Sequence, residues 1–491
     1  MLKIKANHIW WLLSVFLLLI LVASLSANLK IRQIIQSPIG SLNTKTDINS
    51  AKKTITFVTT NSSNTYYIDS NQKHAGLEYD LANLFVKELG DDYKVEFIVE
   101  NAFSDVLSTL LNNKATIAAA DITVTDSRKK NMIFTEPYLD VQQQIAYNRE
   151  TKLPPRNIAA LKNERITVPA GTSFVDRLNE LNSTKDAHLK WDVQENTSSE
   201  RLLEALANQE IDFTIADNHL LSVVQYYYPN IGMGFTIGKP EKIAWALPKN
   251  AAPKLVLQVN KFFKKIKANG TLANLIDRYH GNTKRLNPFD VKTFLSKSQS
   301  LLPKYVRLFK SAQDATDIDW RLLAAISYQE SHWDTFNTSP TNVRGLMMLT
   351  EDTSDMMKVS DRLDPKQSIP AGAKFFLWIK EHFPERIQDQ DRTFMALASY
   401  NIGLGHVEDA RILAQRMKLN PDRWADVKKA MMLLTDAKYY VNAKHGYCGC
   451  AQPVIYTESI RSYYKILEKH QPAYDSESES FKIASAAIAP I

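Results

Sequence analysis

Two rhythms divide the chain. From Lys53 to about residue 280, short apolar runs such as KTITFVTT, YKVEFIVE, ERITVPAG, EIDFTIAD and KIAWALP alternate with longer amphipathic segments. In one of these, GLEYDLANLFVKELG, apolar residues fall at 77, 81, 84, 85 and 89 before a stop at Gly90, which is one face of a helix. Such alternation predicts an α/β domain with helices covering mostly parallel strands. Past residue 300 the strands cease. PKYVRLFKSAQDA, IDWRLLAAISYQE, AGAKFFLWIKEHF, TFMALASYNIG, HVEDARILAQRM and ESIRSYYKILEKH all carry helical periodicity. The predicted layout is multidomain: an α/β domain over 53–282, a connector without a strong apolar face over 283–300, and an all-α domain over 301–470. The polar end, 471–491, reads as a disordered tail.

The N-terminus follows a different logic. MLKIKANH contributes two lysines, IWWLLSVFLLLILV is uninterrupted apolar, and ASLSA supplies small residues, the order of an export signal over 1–27. The uncharged run from Ile9 to Leu25, about 17 residues, borders on bilayer-spanning length. Leu25 fits poorly at the −3 position of a cut after Ala27, so a cleaved signal and an uncleaved inner-membrane anchor both stay open. Either way the remaining chain is exported, with 28–52 as a polar linker.

Composition adds little more. The 491 residues suffice for roughly three compact units at about 150 residues each. The balance of 60 Lys+Arg against 53 Asp+Glu gives a net charge of +7, spread without a long basic run. That favours mild attraction to an anionic wall or membrane over nucleic acid as a partner. Cys448 and Cys450, the two cysteines, read equally as a small disulfide or as two loop thiols, and with His445 they are too few for structural zinc.

One acid stands out. Asp317 or Asp319 can cap the helix in IDWRLLAAISYQES, along which Leu323, Ile326 and Glu330 follow the spacing of a single face. An ionised carboxylate on an apolar face costs several kcal/mol, and the usual relief is a raised pKa, the state a general acid needs. The plainer alternative is a solvated or salt-bridged acid at the helix end. Asp334, four residues on, reads as a cap or helix stop ahead of a second catalytic carboxylate, and Glu351 and Asp352 read as solvated loop acids.

Four stretches in the α/β region, GLEYDLANLFVKELG, DITVTDSRKKNMIFTEPYLD, VPAGTSF and ALANQEIDFTIADN, resemble in sequence and order the periplasmic solute-binding proteins that capture amino acids and similar ligands. The resemblance implies two lobes that close on a ligand. Arg128, preceded by Thr123 and Thr125, would grip a carboxylate through its planar fork of donors. Gly171, Thr172 and Ser173 would open a helix suited to an anion, and Asp217 would take an ammonium group. A domain that keeps this fold without its ligand is the counter-reading.

In the helical region, the pair Glu330–Ser331, then RGLMMLT, ASYNIGLGHV and PVIYTESIRSYYKIL, resemble the soluble-lytic-transglycosylase family with its goose-lysozyme-like domain. The resemblance makes Glu330 the catalytic acid and base, Ser331 a neighbour orienting substrate, and Gly345, Leu346 and Met347 the floor of a saccharide cleft. Asn401 and Gly403 would hold sugar and backbone groups, and Tyr456 would hydrogen-bond the acid. Met348 stands where most relatives have glutamine, which removes a polar contact from the cleft.

Taken together, the two regions resemble the membrane-bound lytic murein transglycosylase F type. That implies peptidoglycan glycan strands as substrate, an amino-acid, peptide or muropeptide ligand for the first domain, membrane association on the periplasmic side, by resemblance at the outer membrane, and no metal or cofactor. The implied reaction cuts the MurNAc–GlcNAc bond without water and leaves a 1,6-anhydroMurNAc end. Two further readings stay open: a catalytically weak peptidoglycan-binding sensor, which Met348 would favour, and a hydrolytic muramidase of the same helical fold.

Overall fold

The computed structural model describes residues 53–69, 72–185, 187–281, 286–338 and 343–475. The export signal or anchor at 1–27, the linker at 28–52 and the tail from residue 476 lie outside the described residues. Among the described residues no helix is long and apolar enough to cross a membrane.

The first lobe is built on a sheet whose strands lie in the order Tyr93–Glu100, Lys53–Thr60, Ile117–Ala118, Ala246–Pro248 and Met132–Phe134. The second has Ile231–Ile243, Leu139–Asn148, Phe213–Asp217, Arg165–Pro169 and Lys190–Gln194. The chain leaves the first sheet after Phe134, completes the second lobe, and returns at Ala246. The two crossing segments bond to each other, Tyr138 N–H donating to Ile243 O at 2.9 Å and Thr135 N–H to Trp245 O at 3.0 Å.

This crossing corrects the expectation of mostly parallel strands. Lys53–Thr60 pairs in parallel with its neighbours, as Arg165–Pro169 does with its own. The strands next to the crossing arrive from the opposite lobe and therefore run antiparallel. Helix Leu77–Leu89 covers the first sheet with Leu77, Leu81, Ala82, Phe85 and Val86 and stops at Gly90, as its spacing predicts.

Helix α1 (Thr271–His280) ends the first domain. Next comes α2 (Pro288–Ser300), which overturns the reading of 283–300 as a connector without an apolar face. Asn287 and Asp290 form a reciprocal capping box, and Val291 and Phe294 enter the core of the helical domain, where Phe294 packs against Tyr328, Trp333 and Tyr463. The apolar stripe is only one residue wide per turn, too narrow to stand out among lysines and serines.

Helix α3 (Trp320–Ser331) is capped by Asp319, whose carboxylate accepts from Arg321 N–H at 2.8 Å; Asp317 ends the preceding helix in a left-handed turn. Around it lie α4 (Pro365–Glu381), α5 (Asp389–Ile402) and α6 (Ala451–His470). The first five residues of the expected tail, 471–475, are described and held against the helical domain. Tyr474 O accepts from Gln313 Nε2 at 3.0 Å, so the segment after α6 is pinned as far as residue 475. Cys448 and Cys450 are joined in a disulfide just before α6.

The two domains share an interior. Tyr226, from the second lobe, is 2% exposed and belongs to the helical core, with its hydroxyl 3.4 Å from Ser462 Oγ of α6. The last turn of α1 docks on the same helix: Arg461 donates to Asp277 O at 2.8 Å, and Lys465 Nζ to Tyr279 O at 2.9 Å. Arg423 closes the other end of α1, donating to Asn269 O at 2.7 Å and to Thr271 Oγ1 at 2.8 Å.

Candidate active site

The interior of the helical domain prepares the position of Glu330. Leu323 and Ile326, on its face of α3, are both 0% exposed, so the helix delivers the carboxyl to the edge of the core. There Tyr456 of α6 donates its hydroxyl to Glu330 Oε1. Glu330 keeps some exposed surface, yet burial raises its pKa to about 7, with the Tyr456 hydrogen bond pulling the other way. Among the described residues no second acid contributes to that shift.

The loop after α3 is locked to this helix through its backbone. Ser327 and Ser331 both donate to Leu346 O at 3.0 Å, and Ser331 also reaches Ser327 O. Tyr400 of α5 donates to Met347 O at 2.9 Å, and Ser368 Oγ accepts from Met347 N–H. Gly345 has φ +79°, and a Cβ there would lie 1.9 Å from Arg362 O, so only glycine fits.

This geometry revises several expected roles. Leu346 and Met347 are 0% exposed and Ser331 1%, so their side chains face the interior and hold the loop in place. Met348, in a left-handed conformation, is the loop's partly exposed member. Asn401 and Gly403 are exposed at the end of α5, where Gly403 adopts φ 91°. Asp334 lies beyond the helix, which His332 terminates with φ 54°; it is exposed and accepts from Phe336 N–H at 3.0 Å. Glu351 and Asp352 are exposed in the first turn of a short helix.

One residue was missed. Tyr400 is tied to the loop, and burial first, then the charge of Glu330, raises its pKa. Its only sequence signal is an aromatic immediately before Asn401.

In the first domain a cavity of about 70 Å³ lies between the lobes, with Thr123, Arg128, Thr172, Ser173 and Asp217 in its wall. Thr125 serves elsewhere, as the cap whose hydroxyl accepts from Arg128 N–H. Arg128 is 7% exposed over the Phe103 ring and donates to Thr123 O and, across the lobes, to Gly171 O, both at 2.8 Å. Burial lowers its pKa to about 10, which leaves it charged at neutral pH. Thr172 donates to Pro169 O and Ser173 accepts from Gln143, so both hydroxyls are partly occupied.

Asp217 is 8% exposed, and its Oδ1 has no hydrogen-bond partner among the described residues. Burial raises its pKa to about 7, against the opposing pull of His219. His219 in turn sits 2.6 Å from Asp121 across the lobes. An arginine and an unsatisfied carboxylate in one small cavity are complementary to a ligand that carries both charges. Among the described residues no three His, Cys, Asp or Glu side chains gather as a metal site would require.

Residues 55–282 match the bacterial extracellular solute-binding proteins, family 3, and residues 307–421 match the transglycosylase SLT domain. Among curated proteins, the membrane-bound lytic murein transglycosylase F of Methylobacillus flagellatus is 51% identical over 433 residues, covering 88% of this chain and 92% of its own. Its counterpart in Nitrosospira multiformis is 42% identical over 417 residues, covering 85% and 86%. A third, from Pseudomonas putida, is 40% identical with 84% of each chain covered. With both domains matched in order and relatives aligned along nearly their whole length, the chain belongs to the membrane-bound lytic murein transglycosylase F family.

Proposed function

We propose that this protein cleaves peptidoglycan glycan strands without water, with Glu330 as its single acid and base. The observation that carries this reading is a partly buried carboxyl that accepts the Tyr456 hydroxyl, is pushed up to about 7 by burial, and has no second acid acting on it among the described residues. Glu330 gives its proton to the oxygen bridging MurNAc C1 and GlcNAc C4, and the C1–O bond breaks. As a carboxylate it then takes the proton of the muramoyl C6 hydroxyl, whose oxygen closes on C1 to leave a 1,6-anhydro end. Ordinary inverting and retaining glycosidases need two carboxylates, and the placement of Asp334 does not supply the second. Asn401 and Gly403, which are exposed, and Met348, which is partly exposed, are the groups we assign to substrate contact.

Digesting purified sacculi and weighing the fragments tests the assignment. Anhydromuramoyl ends are the expected product; reducing ends would make the protein a muramidase, and intact strands would reduce the helical domain to a wall-binding module.

We assign the inter-lobe cavity to an amino-acid, peptide or muropeptide ligand, its carboxylate toward Arg128 and its ammonium toward Asp217. Screening such compounds by thermal unfolding should find at least one that raises the melting temperature. Arg128→Ala should erase that rise, because a neutral stump cannot replace a buried two-pronged donor. A rise that survives in the variant would remove Arg128 from the binding role. The relatives are named membrane-bound, and we place this chain likewise in the periplasm at a membrane surface.

A further inference from the structure

A file of aromatic rings leads away from the loop that is tied to the Glu330 helix. Tyr400, tied to the loop beside Glu330, lies 5.5 Å from Phe375 between ring centres. Phe375 and Trp378 are parallel to within 10° at 5.9 Å, and His382 sits 3.9 Å beyond Trp378. Phe375, Trp378 and His382 follow one another at three- and four-residue steps, so they share a face of α4 and its C-cap. Phe376 and Ile379, on the neighbouring face, are buried and already fill the core. Phe375 and Trp378 are left half-buried, with His382 exposed and its Nδ1 held 2.7 Å from Trp378 O.

We propose that Phe375 and Trp378 form a stacking platform that carries the glycan strand outward from the cut site. The inference rests on the reading of Glu330 as the acid that cleaves the strand. A polymer held for cutting extends beyond the reacting bond, and the file leads from Tyr400, on the loop tied to the Glu330 helix, through the half-buried Phe375 and Trp378 to the exposed His382. Pyranose rings present a flat face of C–H groups, and the electron-rich face of an aromatic ring is its natural counterpart. Contacts far from the scissile bond help the reaction by holding the strand in register, so their loss should weigh on long substrates and spare short ones.

The test compares cleavage of long uncrosslinked glycan strands with cleavage of the shortest fragment the parent enzyme accepts. Trp378→Leu keeps an apolar group against the core and removes the ring. The ratio of the two rates should fall about tenfold. Trp378→Tyr should restore most of it. A defect of packing would depress both rates together, and an unchanged ratio would overturn the platform. Binding of the same strands by Glu330→Gln and by Glu330→Gln/Trp378→Leu decides the matter without turnover: about tenfold weaker binding is expected in the double variant, and equal binding refutes it. Should the parent yield no anhydro ends from either substrate, the catalytic reading fails, while the binding pair still judges the platform.

Discussion

Glu330→Gln is expected to lose activity by about 10²–10⁴-fold while gaining stability at alkaline pH. The two effects have one origin. In the folded protein the carboxyl titrates near 7, against an ordinary value of 4.5, because burial disfavours its charge. Folding therefore favours the protonated form. The stability this contributes is complete below about pH 4.5 and is lost as pH rises through 7. By pH 8 the parent should have given up as much as about 3 kcal/mol at this site, less to the extent that water reaches the carboxyl. Glutamine has no proton to lose, and its carbonyl can still accept from Tyr456. Urea unfolding of parent and variant at pH 5 and pH 8 should show the variant gaining ground at the higher pH. Parallel curves would mean that Glu330 titrates as an ordinary surface acid. Turnover by the parent should decline above about pH 7, where the acid loses the proton it must donate.

Arg461→Ala should be the costliest single change at the domain junction. Arg461 is 3% exposed; its Nη1 bonds Glu458 Oε2 at 2.6 Å and Asp277 Oδ2 at 3.3 Å, its Nη2 bonds Asp277 O, and its guanidinium lies 4.2 Å from the centre of the Phe394 ring. Removing one member of a buried ionic group strands the others, at a cost of about 3–5 kcal/mol. Lys428 also reaches both acids, which puts the expected loss near the lower limit, about 3 kcal/mol. A chemical denaturation curve measures it, and a change within about 0.5 kcal/mol would demote the network to a surface ornament.

The alternation of strands and helices was legible because each element shows one face to a core. Helix Leu77–Leu89 illustrates both the strength and the limit of that signal. Its apolar stripe was plain, but nothing marked Glu78, which is 2% exposed and accepts from Tyr138 O–H, Trp245 Nε1–H and the Asp121 amide. Those partners lie 60, 167 and 43 residues away, and a buried acid is explained only by what surrounds it in space.

The same holds for the candidate site. Periodicity and motif order pointed to Glu330, and the structure brings Tyr456 to it from 126 residues away. The inward turn of Leu346 and Met347 was hidden, because a loop offers no period from which to read direction. Tyr226 was hidden too: an aromatic that fills another domain's core looks, in sequence, like one that fills its own.

Helix α6 is common property. Its early turns hold the phenol that serves Glu330, and its later turns receive Asp277 and Tyr279 from the neighbouring domain. A fragment starting at α2 would keep every residue of the proposed cutting machinery and still lose the Asp277 carboxylate that pairs with Arg461 and the Tyr279 carbonyl that accepts from Lys465, along with the Tyr226 plug. Such a fragment would be a different molecule from the intact chain, with a wounded flank on the very helix that steadies its acid, and rates measured on it would describe the wound as much as the enzyme.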